Sequence, residues 1–338
     1  MTLPVRPPLE PMLGKLVREL PTGDYIYEPK WDGFRCLAFR DGDDVDLRSR
    51  NGNPFARYFP EVVEALTRLD EQRFVLDGEL LARKDDEFDF NALMLRLHPA
   101  KSRVAELAQT TPACFVAFDL LAIDGEDLLE VPFETRRAEL ERLASGGAGI
   151  RVTPASTDPA EAERWLRGAG AAIDGVMAKR RDQPYVPGAR SMLKVKRERT
   201  LDVVVAGMRV VAEPLRVASL LLGLYDDGGT LHHIGVIANL GKRRAVDVLA
   251  ELQRDVVPLT GHPWEQGFLI GGGALGRLRG AAARWTPDMP QDWVPLSATR
   301  VAEVAYDRAD NGRLRYPARL VRWRPDRDAR SCTFEQFP

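Results

Sequence analysis

Residues 28–35 read Glu28-Pro29-Lys30-Trp31-Asp32-Gly33-Phe34-Arg35, or EPKWDGFR. Lysine is scarce in this chain of 338 residues, because 40 of its 48 Lys and Arg side chains are arginine. A lone lysine ahead of an Asp-Gly turn therefore stands out. Its amine is a poor nucleophile at the ordinary pKa of about 10.4. Burial, or cationic and metal neighbours, can lower that value and make it a covalent catalyst. Gly33 permits a tight turn, Asp32 stands two residues from the amine, and Arg35 can fork onto a phosphate. Taken alone, the stretch is more often a solvent-facing lysine beside a common turn.

The bulk properties narrow the choice. The length allows about two domains, each large enough for its own core. Hydrophobic residues make up 44% and charged residues 29%, which is ordinary for a globular chain, and the formal net charge of −2 leaves any nucleic-acid binding to local patches. Cys36, Cys114 and Cys332 are isolated and odd in number. They exclude a disulfide framework or zinc ribbon and fit a reducing cytoplasm. No leader-like segment or apolar run of membrane-spanning length is present, so a cytoplasmic, nucleoid-associated protein without membrane contact is expected.

The first ~200 residues mix short β-like runs (34–39, 45–48, 73–76, 114–119, 176–178) with helical patterns (60–69, 133–143, 159–169). Turns are expected at Asn51-Gly52-Asn53-Pro54, Asp77-Gly78 and Asp124-Gly125. This predicts an α+β domain over 1–199. From 200 to 338 the texture changes to strands over 201–211, 219–227, 231–241, 298–307 and 314–324, with one helix over 242–254. Several short strands and one helix predict an oligonucleotide-binding (OB-fold) β-barrel domain. The Gly-rich 271–284 reads as a flexible loop or as a helix from Gly273 onward, and Trp264, Trp285 and Trp293 as barrel core or rim. His98 carries no assignment, and the adjacent His232 and His233 would face opposite sides of a strand, a poor metal site.

The remaining chemistry lies in ordered blocks. After Lys30–Arg35 come Ser49-Arg50-Asn51-Gly52, Leu76-Asp77-Gly78-Glu79-Leu80 and Phe115-Val116-Ala117-Phe118-Asp119. They are followed by Asp174-Gly175-Val176-Met177-Ala178-Lys179, Leu193-Lys194-Val195-Lys196 and Arg324-Pro325-Asp326-Arg327. The segment 177–199 holds eight Lys and Arg against Asp182 and Glu198, a local phosphate-facing surface in a net acidic chain.

Seven blocks in this order resemble the motifs of covalent nucleotidyltransferases, and within them the ATP-dependent DNA ligases. The likeness covers nearly the whole chain. It is nearest to the compact bacterial ligase C type, whose ends carry a segment similar to RLVRWRPDRD…SCTFEQ. It implies a nucleotidyltransferase (ATP-grasp-like ligase) domain ahead of the OB-fold. Lys30 would attack the α-phosphate of ATP to form lysyl-AMP, pass the adenylate to the 5′-phosphate at a nick in duplex DNA, and let the 3′-hydroxyl displace AMP.

The resemblance also implies roles for single residues. Glu28 and Pro29 would frame the adenine, with Glu28 accepting from its exocyclic amine, and Phe118 would stack on its face. Phe115 and Phe118 alternate to opposite faces of a strand, so one of them belongs to the core. Arg35, Arg50, Lys179, Lys194 and Lys196 would face phosphates, and Glu79 would bind ribose or metal. Asp32, Glu79 and Asp174 are the hard-oxygen ligands for magnesium or manganese. At Asp174 the family usually has glutamate, and the shorter aspartate leaves direct and water-bridged coordination both open. Arg324, Asp326 and Arg327 would orient pyrophosphate in the first step, with arginine where the family usually has lysine at the last position. Nicked duplex DNA is the expected partner, a repair polymerase a further one, and a monomer the expected state. An RNA ligase, a GTP-dependent capping guanylyltransferase and a non-catalytic nucleic-acid-binding relative are the alternatives.

Overall fold

The computed structural model describes residues 2–84, 87–97, 100–145, 150–168, 173–266, 293–310 and 312–337, and all counts refer to these. The Gly-rich 271–284, Trp285 and His98 lie outside the described residues. The chain divides into two compact units, Met1–Arg197 and Glu198–Pro338.

The first unit contains β1 (Gly14–Val17), β2 (Tyr25–Trp31), β3 (Phe34–Asp41), β4 (Asp44–Ser49), β5 (Arg73–Lys84), β6 (Glu87–Phe88), β7 (Ala113–Ile123), β8 (Glu126–Asp127), β9 (Arg151–Val152), β10 (Ile173–Arg180) and β11 (Met192–Lys196). Its helices are α1 (Pro60–Thr67), α2 (Phe90–Leu95), α3 (Lys101–Thr110), α4 (Phe133–Ser145) and α5 (Pro159–Arg167). One sheet has the order β1-β11-β10-β2. The other runs β4-β3-β5-β7-β8, with β6 and β9 attached to β5 and β7. The chain passes from the first sheet to the second between β2 and β3, inside the EPKWDGFR stretch. Lys30 thus sits near the end of a strand of one sheet, and Arg35 near the start of a strand of the other. Gly33 makes the passage possible. A Cβ there would lie 2.2 Å from the Leu80 carbonyl oxygen and 2.7 Å from the Leu81 side chain, so no larger residue fits against β5.

The second sheet is buried on both faces, which is why β3 reads as a near-continuous apolar run. Its even positions, Cys36 and Ala38, join a core with Leu76, Leu80, Phe115 and Ala117, closed by Val62 and Leu66 of α1, Leu93 of α2 and Leu140 of α4. Its odd positions, Leu37 and Phe39, face a different cluster of Val75, Leu121, Tyr185, Met192 and the N-terminal Leu3, Val5 and Met12. Met192 belongs to β11, so this second cluster joins the two sheets.

Two sequence expectations require correction. Asp77-Gly78 is no turn but the middle of the twelve-residue β5. A Cβ at Gly78 would lie 2.6 Å from the Phe115 ring and 2.7 Å from the Val116 carbonyl oxygen. The glycine there serves close strand approach, an alternative that turn statistics do not separate. The strand expected over 314–324 is also two pieces, Arg313–Leu314 and Arg319–Trp323, parted at Tyr316-Pro317 where proline supplies no ladder donor. Helices α2 and α3 were not among the expected elements; α2 starts at the N-cap Asp89, whose carboxylate accepts from the Asn91 amide at 2.7 Å.

The second unit contains β12 (Arg199–Ala212), β13 (Leu215–Tyr225), β14 (Leu231–Ala238), β15 (Val294–Tyr306), β16 (Ala309–Asp310), β17 (Arg313–Leu314), β18 (Arg319–Trp323) and α6 (Lys242–Leu252). Its main sheet is antiparallel with the order β14-β13-β12-β15-β18. Register shifts at Val205/Gly207, Arg209/Val210, Leu222/Gly223 and Glu303/Val304 curl it. The core gathers Val203, Leu220, Leu222, Val248, Leu252 and Trp264, with Trp293 packed against it. No described helix is long and apolar enough to cross a membrane.

Candidate active site

The first unit holds a cleft of about 470 Å³ lined in part by the EPKWDGFR stretch. Glu28, Pro29, Lys30, Arg35, Arg50, Glu79, Phe118, Lys179 and Lys194 all line it. The Lys30 amine donates to Asp174 Oδ2 at 2.5 Å, and the Lys196 amine lies 3.2 Å from the same oxygen. Strand register brings the three together. Gly175 of β10 pairs with Lys30 of β2 on one side and Lys196 of β11 on the other. The β10–β2 register slips between Ile173 and Gly175, so Asp174 is the bulged residue, re-aimed between the two lysines. Gly175 is needed there because a Cβ would lie 2.1 Å from the Val195 carbonyl oxygen. Burial pushes the Asp174 carboxyl up, but Lys30 and then Lys196 outweigh it and hold it below the usual range.

Arg35 does not reach freely into the cleft. Its guanidinium forks onto Asp77, with Nε at 2.9 Å from Oδ1 and a second bond from Nη2 to Oδ2. Asp77 is fully buried and also accepts from the Tyr185 hydroxyl at 2.7 Å, while the Met12 amide donates to Tyr185 at 3.0 Å. The Cζ of the same guanidinium lies 5.2 Å from the Phe118 ring centroid, a cation–π contact on the cleft wall. Glu79, on the same strand as Asp77, accepts from the Gly33 amide at 3.1 Å. Burial pushes its carboxyl up to about 7, against the pull of Lys30, Arg35 and the Gly33 amide, with Asp32 adding to the rise.

A carboxyl raised above its unfolded value of 4.5 binds its proton more tightly in the folded chain. Stability from this group is therefore present at low pH and is lost as pH rises from about 4.5 through about 7. Glu79→Gln is expected to shrink that loss. Urea titrations at about pH 5 and about pH 8 should show a smaller stability difference for the variant than for the parent. An unchanged difference would show that Glu79 does not titrate in this range.

Glu28 and Lys179 form a buried knot rather than an open binding surface. Glu28 is 2% and Lys179 1% exposed. The Lys179 amine lies 2.8 Å from Glu28 Oε2 and donates to the Phe118 carbonyl at 2.7 Å, while Arg137 Nη1 donates to Glu28 Oε1 at 3.0 Å. Phe118 itself is half-buried and lines the cleft, whereas Phe115 is core. The next residue, Asp119, is clamped by Arg136 through two bonds of 2.8 and 3.0 Å, and both side chains are buried.

The sequence blocks omitted Arg136 and Arg137. Yet Phe133, Arg136, Arg137 and Leu140 stand at i, i+3, i+4 and i+7 of α4, so both arginines occupy its buried stripe. Outside the blocks also lie Tyr185, which holds Asp77, and the cleft-lining Met192.

Arg50 and Arg190 are exposed and line the cleft with the half-buried Lys194. Burial pushes the Lys194 amine down, followed by the positive fields of Lys30, Lys196, Arg190 and Arg50. Arg324, Asp326 and Arg327 belong to the second unit. There Arg324 Nη1 donates to Asp202 at 3.0 Å and its Nη2 to Asp326 at 2.9 Å, and Arg327 Nε lies 3.7 Å from Asp202. Asp32 sits in the β2–β3 turn, half-buried. Among the described residues no group of three or more His, Cys, Asp or Glu is assembled to hold a metal ion, so Asp32, Glu79 and Asp174 do not form a ready cage. His232 bonds Asp226 at 2.6 Å and His233 packs on Trp264.

Residues 10–196 match the family model described as the ATP dependent DNA ligase domain. DNA ligase C2 of Mycolicibacterium smegmatis is 50% identical over 344 residues, covering 100% of this chain and 96% of that protein. DNA ligase C of Mycobacterium tuberculosis is 46% identical over 344 residues, again covering 100% and 96%. A solved structure from work on DNA binding with a minimal scaffold in Lig E DNA ligases superposes with a TM-score of 0.56. It shares 16% identity over 93% of this chain and 99% of that one, a likeness of fold. With near full-length relatives at this identity, and with the lysine cleft inside the matched region, the chain belongs to the ATP-dependent DNA ligase family.

Proposed function

We propose that this ligase works through Lys30 as its nucleophile, in three balanced steps at the cleft described above. In the first, the Lys30 amine attacks the α-phosphate of ATP. A P–N bond forms, the α–β phosphoanhydride breaks, pyrophosphate leaves and the amine gives up its proton. In the second, an oxygen of the 5′-phosphate at a nick attacks the same phosphorus and the P–N bond breaks, which restores the amine. In the third, the 3′-hydroxyl attacks the 5′-phosphate, forms the phosphodiester and expels AMP. The observation that carries this reading is the position of the Lys30 amine, pinned by Asp174 in a cleft whose wall is Phe118.

The surrounding residues take roles that follow from their contacts. Asp174 fixes the amine, Lys196 shares that carboxylate, and Lys194, Arg50 and Arg190 oppose the charge that develops on the phosphates. Phe118 stacks on adenine, and the Glu28–Lys179–Arg137 knot and Pro29 hold the wall behind it. Arg35, clamped by Asp77, lends a fixed positive face. Arg324, Asp326 and Arg327 orient pyrophosphate in the first step. Magnesium or manganese suits the hard oxygens of Glu79 and Asp174. With no three-ligand cage among the described residues, water and the nucleotide's own phosphates would complete its shell. Such an ion, when bound, draws charge from the phosphate oxygens.

The second unit, with its curled antiparallel sheet and one helix, is read as the OB-fold that holds nicked duplex DNA through its backbone, since a ligase must accept any sequence. A monomer suffices for this chemistry. The test is to incubate the protein with α-labelled ATP or GTP and then chase with nicked duplexes carrying DNA or RNA 3′ ends. ATP should label the protein, and nicked DNA should remove the label as product forms. Labelling by GTP alone, or a chase that only an RNA end supports, would overturn the assignment.

A further inference from the structure

The fork from Arg35 to Asp77 has a third member that stands in none of the sequence blocks. Tyr185 lies in the connection between β10 and β11 of the first sheet, whereas Asp77 belongs to β5 of the second. The Tyr185 hydroxyl donates to Asp77 Oδ2 at 2.7 Å, the oxygen that also takes the Nη2 bond from Arg35, while Oδ1 takes Nε at 2.9 Å. A carboxylate held by one guanidinium alone can turn about its last torsion, which is broad and roughly two-fold, and carry the guanidinium with it. The hydroxyl is the second fixed point that stops this rotation.

The direction of that bond is fixed as well. The Met12 amide donates to the hydroxyl oxygen at 3.0 Å, so the phenol proton is left for Asp77. Burial first, and then the charge of Asp77, hold the phenol well above its usual range, and it keeps that proton. Met12 is itself held. Its sulfur accepts from the Gln183 side-chain amide at 3.4 Å and the Val186 amide at 3.3 Å, and the Leu13 amide donates to the Ala189 carbonyl at 2.7 Å. The Tyr185 ring is 1% exposed among Leu37, Phe39, Val75 and Leu121, with Arg136 Cζ 5.9 Å from its centroid. Met12, Tyr185 and Asp77 do not line the cleft, but Arg35 does. Arg35 gives Nε and Nη2 to Asp77, so the pose of that carboxylate decides where the guanidinium stands against Phe118.

We propose that Tyr185 is a positioning residue for adenylation: its hydroxyl, aimed by the Met12 amide, locks Asp77 and through it the pose of Arg35 in the cleft. The proposal rests on the reading of the cleft as the place where Lys30 attacks ATP, and it adds a residue outside the cleft to that reading. No bond is made or broken at Tyr185.

The test uses the full chain and α-labelled ATP, with adduct formation followed in a single turnover well below every melting temperature. Tyr185→Phe keeps the ring and removes the hydroxyl. Its rate at saturating ATP should fall on the order of tenfold, with half-saturating ATP moved by less than about threefold. In an Arg35→Gln background the same change should cost less than about twofold in rate, since no guanidinium is left to misplace, while its effect on melting persists. Leu121→Ala is the control for packing, because it opens the same cluster and leaves every bond of the relay. It should lower the melting temperature at least as far as Tyr185→Phe and keep the rate within about twofold of the parent. The role of Tyr185 is overturned by a Tyr185→Phe rate equal to the parent's, by equal losses in the two backgrounds, or by an equal loss from Leu121→Ala. If Arg35→Gln is slow and Tyr185→Phe is not, the cleft reading stands and Tyr185 alone is wrong. If the parent forms no adduct, both are wrong.

Discussion

Replacing Lys30 with alanine is expected to abolish the covalent AMP adduct and to lower sealing of an ordinary nick on the order of 10⁴-fold or more, as for loss of any covalent nucleophile. Two other amines are close, yet neither can stand in. Lys196 shares Asp174 with Lys30 at 3.2 Å, but it sits on the far side of Gly175, one strand further from β2. Lys194 pairs with Met177, two residues further along β10. Neither is at the end of β2 where Gly33 brings the chain against β5. The expected loss is also specific to step. A nick that already carries AMP on its 5′-phosphate needs no lysine nucleophile, so Lys30→Ala should still seal it at a substantial fraction of the parent rate. Equal loss on pre-adenylated and ordinary nicks would mean that Lys30 serves the architecture or the final step instead.

The largest structural effect is expected at Asp119. Its carboxylate holds Arg136 through two parallel bonds, and neither side chain is more than 1% exposed. Arg136 also donates to the Gln183 carbonyl at 3.0 Å and to the Val131 carbonyl. Asp119→Ala strands a buried guanidinium with only neutral acceptors, which costs about 3–5 kcal/mol. For a folding unit of this size that corresponds to a melting point lower by roughly 6–20 °C. Asp119 follows Phe118, so nucleotide binding should weaken as well, because the ring loses its fixed anchor. Replacing both partners, Asp119→Leu with Arg136→Met, should recover much of the stability, since the pair is disposable when no lone charge is left. Calorimetry of the single and double variants decides this. A single variant that melts with the parent would show that the pair contributes little.

The grouping around Lys30 was legible because short blocks carry it: Lys30, Asp174 and the two lysines of β11 each stand in a motif whose residue types are unusual together. What holds those groups in place was not legible, because the partners lie far apart in the chain. Asp77 pairs with Arg35 across 42 residues and with Tyr185 across 108, and Glu28 meets Arg137 across 109. Turn statistics favoured Asp77-Gly78 as a hairpin, and the competing demand, close approach of β5 to β7 at Phe115, has no local signal. In α4 the signal existed. Two arginines on the apolar repeat of a helix are costly unless paired, and that cost calls for buried carboxylates such as Asp119 and Glu28. Register explains a further point. Lysine and aspartate in separate motifs become one unit only because Gly175 faces both β2 and β11 while Asp174 bulges between them.

The most direct measurement is the mass of the protein after incubation with ATP and a divalent metal, followed by peptide mapping. The account predicts a gain of one AMP, carried by the peptide that contains Lys30 and lost on addition of nicked duplex DNA. No adduct, or an adduct on Lys194 or Lys196 instead, would contradict it.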